Sequence, residues 1–331
     1  MSPKEKRLEA ITAVFDDLFR GWEIYEAHFN LSWPLRHTSE DLACIMGDSE
    51  RTLSSPLIDF DVKAACDFIQ KRALVVPSER FKPLCAVVKG QGGGKTRQLV
   101  EISDYFLKNF PSVVALPITF NGRWDILDQT FINTFVDSRI LVVMECVVRM
   151  VAVFYGKEFS RDLFQVFDDD RFRDSIRGFS ASEILRGCCN HIMKIAKTVK
   201  PDANTFVLMI DESLMLSNRT FPGVLDPYEV IRSAILGDSI TEALHLTLVL
   251  SALTIAPTGM TDFGRPIETY PGYNFLDPWR VATEWFKISN PNQATLYWIG
   301  AFCGSPRGLQ LLYEYYLSLP PGKRDIDNTN F

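Results

Sequence analysis

The sequence predicts an α/β fold: a three-layer α/β/α sandwich on a mainly parallel sheet, with an N-terminal helical extension and a short C-terminal helical module. Three observations lead there. Largely apolar runs at 84–88, 113–119, 206–210 and 246–252, the third of them unbroken, have the pattern of strands buried on both faces. Helical patterns separate these runs, so successive strands join by crossovers and lie parallel. Between the first run and a helix read as 97–107 sits a glycine-rich turn, Gly90-Gln91-Gly92-Gly93-Gly94-Lys95-Thr96.

The elements follow in order. Residues 1–30 carry apolar side chains at helical spacing (Leu8, Ile11, Phe15, Leu18, Phe19, Trp22), a stripe expected to pack against the body of the protein. A mixed connector with Pro34 and serine-rich turns leads to a helix at 60–73. After the strand at 113–119, a helical insert spans about 138–199. Its apolar stretch 140–155 is interrupted by Glu145 and Arg149 and is shorter than the ~20 residues of a membrane span. Asp168, Asp169 and Asp170 read as an exposed acidic loop, since nothing nearby completes a metal shell. A helix at 228–237, the strand at 246–252, and a Gly/Pro-rich loop from 254 to 273 come next, the last carrying Arg265 as a candidate phosphate contact. A final helix at 309–317 ends before Pro320-Pro321-Gly322. The expected organisation is an extension at 1–75, a core at 76–280 and a C-terminal helical segment at 281–331.

The glycine-rich turn suggests chemistry. Glycines let the backbone curl with amide N–H groups pointing inward, and the helix that follows turns its own unpaired N–H groups and dipole toward the same point. Lys95 would then neutralise terminal phosphates, and the Thr96 hydroxyl would hold Mg²⁺. These are the parts of a Walker A loop, with Gly90, Gln91, Gly92, Gly93, Gly94, Lys95, Thr96 and Arg97 as expected nucleotide contacts. One departure stands out: Lys89 occupies the first glycine position of G-x-x-x-x-G-K-[ST], so the loop's entry shifts to Gly90 and nucleotide affinity is in question. Asp211 and Glu212 directly follow the apolar run 206–210, at the carboxyl edge of the sheet where ligands bind in open α/β folds. Asp211 would reach the Mg²⁺ and Glu212 would deprotonate the attacking water. Ser251 or Thr254, at the end of the next strand, could bond the γ-phosphate, or be ordinary polar strand ends. Arg307 follows Gly304-Ser305-Pro306 in the first turn of the last helix, where a cation opposes the dipole unless an anion is bound. Arg139 and Arg149 could serve as arginine fingers across a subunit boundary, or simply form ion pairs.

With these elements in this order, the chain resembles a P-loop NTPase of the additional-strand class, on the AAA+/STAND side. Asp211-Glu212 looks like a Walker B pair, Ser251 to Thr254 a sensor-1 region, and Gly304-Ser305-Pro306-Arg307 a sensor-2 motif. The strand at 113–119, interposed between glycine loop and acidic strand, favours that class over kinase-like P-loop folds. Within it, Ile118-Thr119-Phe120-Asn121-Gly122 and the arginine-bearing helix at 138–155 are similar to the NTPase domains of crinkler effectors and retrotransposon hot spot proteins. The resemblance covers about 80–318 and implies ATP and Mg²⁺ as cofactors, with Glu212, Lys95 and Arg307 in catalytic roles and Thr96 and Asp211 at the metal. It leaves open an ATPase, a nucleotide-gated switch with little or no turnover, and a degenerate relative that binds nothing.

Composition sets the outer bounds. With 47% hydrophobic residues in 331, there is material for a sizeable core. A net charge of −6 and a pI near 5.4 argue against a generally basic nucleic-acid surface. Seven cysteines without framework spacing fit reduced intracellular thiols, and the four histidines form no metal pattern with them. The charged N-terminus is unlike a signal peptide. Expected partners are therefore a nucleotide and a protein or second copy, in cytoplasm or nucleus (of a host cell, for an effector), without a membrane.

Overall fold

The structure, a computed structural model, describes residues 2–20, 60–74, 84–88, 94–120, 137–155, 167, 169–211, 223–224, 227–236, 245–252, 267–269, 276–303 and 305–320. The strands are β1 (Leu84–Val88), β2 (Val113–Thr119), β3 (Thr205–Asp211), β4 (His245–Ala252) and β5 (Ile267–Thr269). They form one sheet in the order β2-β3-β4-β1-β5, with every pairing parallel. The helices are α1 (Pro3–Arg20), α2 (Val62–Ala73), α3 (Lys95–Asn109), α4 (Ser138–Tyr155), α5 (Asp170–Ile176), α6 (Ala181–Val199), α7 (Pro227–Leu236), α8 (Pro278–Arg280), α9 (Gln293–Phe302) and α10 (Pro306–Ser318). A π turn, Val281–Trp285, continues α8.

Apolar residues alternate along the strands between two clusters, as side chains on opposite faces of a sheet must. Phe206, Leu208 and Ile210 of β3 join the larger cluster with α1, α4, α5, α6 and α7. Val207 and Met209 join the smaller one with Ala65, Cys66 and Ile69 of α2 and Leu99, Ile102 and Phe106 of α3. Every residue of β3 is buried, which explains the lack of polar alternation in its sequence. A third cluster, around Trp285, Phe286, Ile299 and Leu309, holds the C-terminal helices together, and Phe60 packs against both it and the α2–α3 cluster.

The structure corrects the sequence reading at several points. β2, which precedes β3 in sequence, lies at the edge of the sheet, and the strand between β1 and β3 is β4. Pro117, which has no N–H to give to a ladder, is better tolerated in an edge strand. Within the stretch read as a loop at 254–273, Ile267–Thr269 forms β5 and pairs with β1, whose outer edge it covers. Asp169, read as part of an acidic loop, N-caps α5 by accepting from the Arg171 amide (2.7 Å), and Asp170 pairs with Arg173 in the first turn; Asp168 lies outside the described residues. The α1 stripe, Leu8, Ile11, Phe15 and Phe19, is built into the larger cluster. The six described cysteines are buried, and burial pushes the Cys303 thiol up to about 11 and the Cys189 thiol up to about 12. Among the described residues no helix is long and apolar enough to cross a membrane.

Candidate functional site

Strand parity builds the site. Asp211 follows Val207 and Met209 at two-residue spacing, so its side chain faces the side of the sheet that carries α3. Thr119 is its partner in the β2–β3 register and stands on the same face. On β4, Ser251 is two residues beyond Val249, which also belongs to the α3 side. Parallel register thus brings a carboxylate and two hydroxyls to one level at the carboxyl edge of three adjacent strands.

A third hydroxyl comes from the helix. Gly94 precedes α3 with φ 72°, a left-handed conformation that strains residues bearing a Cβ, and its carbonyl accepts the Gln98 amide (2.9 Å) to begin the helix. Thr96, the second helical residue, donates its hydroxyl to Asp211 Oδ2 at 2.6 Å. Thr119 Oγ1 donates to the same oxygen at 3.4 Å, and Ser251 Oγ donates to Oδ1. The Phe120 amide donates to the Asp211 carbonyl at 3.2 Å. Asp211 is fully buried, and among the described residues its side-chain partners are these three hydroxyls. Lys95, 5% exposed, is the first residue of α3 and precedes Thr96 in the chain.

Helix α3 is polarised end to end. Its first turn holds Lys95 and Arg97 and no acidic residue, although cations there oppose the dipole. Arg97 pairs with Glu101 at 3.4 Å. At the far end the Lys200 ammonium donates to the carbonyls of Phe106 (3.3 Å), Phe110 (3.1 Å) and Val113 (3.0 Å), and burial draws its pKa down to about 8. A cation at the C-terminal end is the arrangement the dipole favours.

Of the sequence-predicted site residues, the structure brings together Thr96, Asp211 and Ser251, and Lys95 precedes Thr96 in the first turn of α3. Gly90, Gln91, Gly92, Gly93, Glu212, Thr254 and Arg265 lie outside the described residues. Arg307 lies in the first turn of α10, where Ser305 caps the helix by accepting the Gly308 amide (3.2 Å) and Pro306 takes the first position; its side chain is outside the described set. Thr119 belongs to the site although it carries no catalytic motif in the sequence. Its signal was its position, the last residue of a buried run that pairs with the run ending in Asp211. Arg149 is buried and ion-paired with Glu145, so it is not available as a finger reaching across a subunit boundary, while Arg139 is exposed.

A second carboxylate cluster joins α1 to α6. Asp16 Oδ1 is 2.7 Å from His191 Nδ1, Asp16 Oδ2 accepts from Lys194 Nζ at 2.5 Å, and the Tyr155 hydroxyl is 3.0 Å from His191 Nε2. The His191 ring stacks on Phe19 with centroids 4.9 Å apart. Burial pushes the Asp16 carboxyl up, but the hydrogen bonds from Lys194 and His191 outweigh it and hold the group below its usual range. No local sequence pattern signals the His191–Asp16 contact, because the two residues lie 175 positions apart.

No family model matches the chain, and neither the curated proteins nor the solved structures contain a match.

Proposed function

We propose that this chain is a P-loop NTPase that binds ATP with Mg²⁺ and hydrolyses it, on a three-layer α/β/α core of the additional-strand, AAA+/STAND type. The carrying observation is the 2.6 Å hydrogen bond from Thr96, at the exit of the glycine-rich loop, to Asp211, at the end of β3. The position of β4 between β1 and β3 supports the additional-strand assignment, and the likeness to crinkler and retrotransposon hot spot NTPase domains is part of the same proposal.

The residues present fit the ligands. Mg²⁺ takes oxygen donors, and Thr96 and Asp211 offer a hydroxyl and a carboxylate already in contact. Bound with nucleotide, the metal neutralises charge on the phosphate oxygens. Lys95 and Arg97 in the first turn of α3 each work against the helix dipole by about 0.3–1 kcal/mol, a cost that a polyphosphate at the helix start would offset. Ser251 and Thr119 fix the rotamer of Asp211. Glu212, the next residue, is assigned as the base that takes the proton of the attacking water, and Arg307 as the contact to the γ-phosphate.

Titration with ATP, GTP and ADP, each with and without Mg²⁺, tests the reading. ATP should bind, Mg²⁺ should strengthen the binding, and Lys95→Ala should weaken it by about 10–100-fold, the loss of one or two charge-assisted hydrogen bonds. Equal affinity in the variant would contradict the assignment. Nucleotide retained without phosphate release would make the chain a nucleotide-gated switch in place of an ATPase.

A further inference from the structure

Glu145 and Arg149 form an i,i+4 ion pair within α4, each side chain 4% exposed, on a helix whose other buried side chains are all apolar. Taking two charges out of water is costly, and an apolar pair of similar volume is often at least as stable. Packing alone therefore does not account for the pair.

Arg149 also reaches the end of β2. Arg149 Nε donates to the Thr119 carbonyl at 2.9 Å, Nη1 donates to the Glu145 carbonyl at 2.9 Å, and the guanidinium carbon lies 4.4 Å from the centroid of the Phe120 ring. Thr119 and Phe120 are the two residues that hold Asp211 from the β2 side, one through its hydroxyl and the other through its amide. We propose that the Glu145–Arg149 pair is a positioning clamp for the Asp211 site, pinning the end of β2 so that Thr119 and Phe120 set the aspartate's orientation. Ser251 holds Asp211 from the β4 side, so the clamp completes its support on the opposite flank. The Phe120 amide adds a hydrogen bond to the Asp211 carbonyl, so the clamp acts on the backbone of Asp211 as well as on its side chain. Arg149 acts through these residues and is a positioning residue, not a catalytic one. The inference rests on the metal–nucleotide reading of the site.

Two variants of the full chain test it. Arg149→Lys keeps a charge beside Glu145 but loses the planar fork that reaches Thr119. The double variant Glu145→Leu/Arg149→Met replaces the pair by apolar side chains and guards against simple loss of folding. For each, the half-saturating Mg²⁺ concentration for ATP binding, the affinity for ATP in chelator, the melting temperature, and hydrogen exchange at the Phe120 amide without nucleotide are compared with wild type. The clamp predicts a rise in half-saturating Mg²⁺ of about 10–100-fold, as for other outer-shell partners of a metal site. It also predicts chelator affinity within about twofold of wild type, and faster exchange at Phe120. A folded variant with wild-type Mg²⁺ dependence overturns the proposal, even if its exchange is faster. If wild type itself shows no Mg²⁺ dependence, the nucleotide reading fails; Phe120 exchange then decides the clamp separately, unchanged protection overturning it and faster exchange supporting it.

Discussion

Asp211 and Asp16 are both carboxylates that tie separate elements together, and they are held in opposite ways. Asp16 receives an ammonium from Lys194 and a ring nitrogen from His191, so charged and titratable groups of α6 answer its charge. Asp211 is more deeply buried, yet among the described residues it receives hydroxyls from Thr96, Thr119 and Ser251. Hydroxyls orient a carboxylate without neutralising it, and buried charges elsewhere are paired or bind metals. The first arrangement fastens a helix. The second is the arrangement that the proposed metal–nucleotide site calls for.

If that contrast is right, changes at the two clusters should separate cleanly, and the largest effect belongs to the sheet edge. Glu212→Gln, one residue beyond Asp211, should lower ATP turnover by about 10²–10⁴-fold, the usual worth of a general base, while nucleotide stays bound. Single-turnover phosphate release measures it, and turnover equal to wild type would remove Glu212 from its assigned role. A smaller effect of the other kind is expected at the fastening. Asp16→Asn should destabilise the fold by about 1–3 kcal/mol in denaturant unfolding, with turnover unchanged. A variant of normal stability and impaired turnover would erase the distinction between the clusters.

The smallest effect is the pH dependence of the α1–α6 contact. His191 is held below its usual range, chiefly by burial, with the Asp16 hydrogen bond acting in the other direction. The unfolded chain therefore binds the proton more readily, and stability falls as pH drops through the ordinary value of 6.5, down to the lower folded pKa. Glu183 is held down to about 2, first by its hydrogen bond from Arg7 of α1, and contributes stability above 4.5 that is lost as pH falls through about 2. Melting temperature followed against pH should show both limbs; His191→Gln should flatten the first and Glu183→Gln the second. Unaltered profiles would dismiss these groups as the source.

The strands were legible because a strand covered on both faces has to be apolar throughout: β1 and β2 carry the bounds read from the sequence, and β3 differs by one residue at each end. Strand order was less accessible. That β4 lies between β1 and β3 depends on long-range pairing that no local pattern encodes, and three residues inside a Gly/Pro-rich stretch carry too little periodicity to announce β5. At the site, Thr96, Asp211 and Ser251 could be singled out because each ends or begins an element beside a recognisable run. Thr119 could not, since its role follows from register. Arg149 breaks an apolar helix in sequence, a pattern shared by surface ion pairs and inward clamps, and its burial distinguishes them.

On the function proposed above, Asp211 and Thr96 form one half of a metal–nucleotide site. Calorimetric titration of wild type and Asp211→Asn with ATP, in Mg²⁺ and in chelator, tests it most directly. Mg²⁺ should strengthen ATP binding by about 10-fold or more in wild type, and Asp211→Asn should abolish this gain while leaving the chelator affinity intact. An equal Mg²⁺ gain in both proteins, or no ATP binding in wild type, would contradict it.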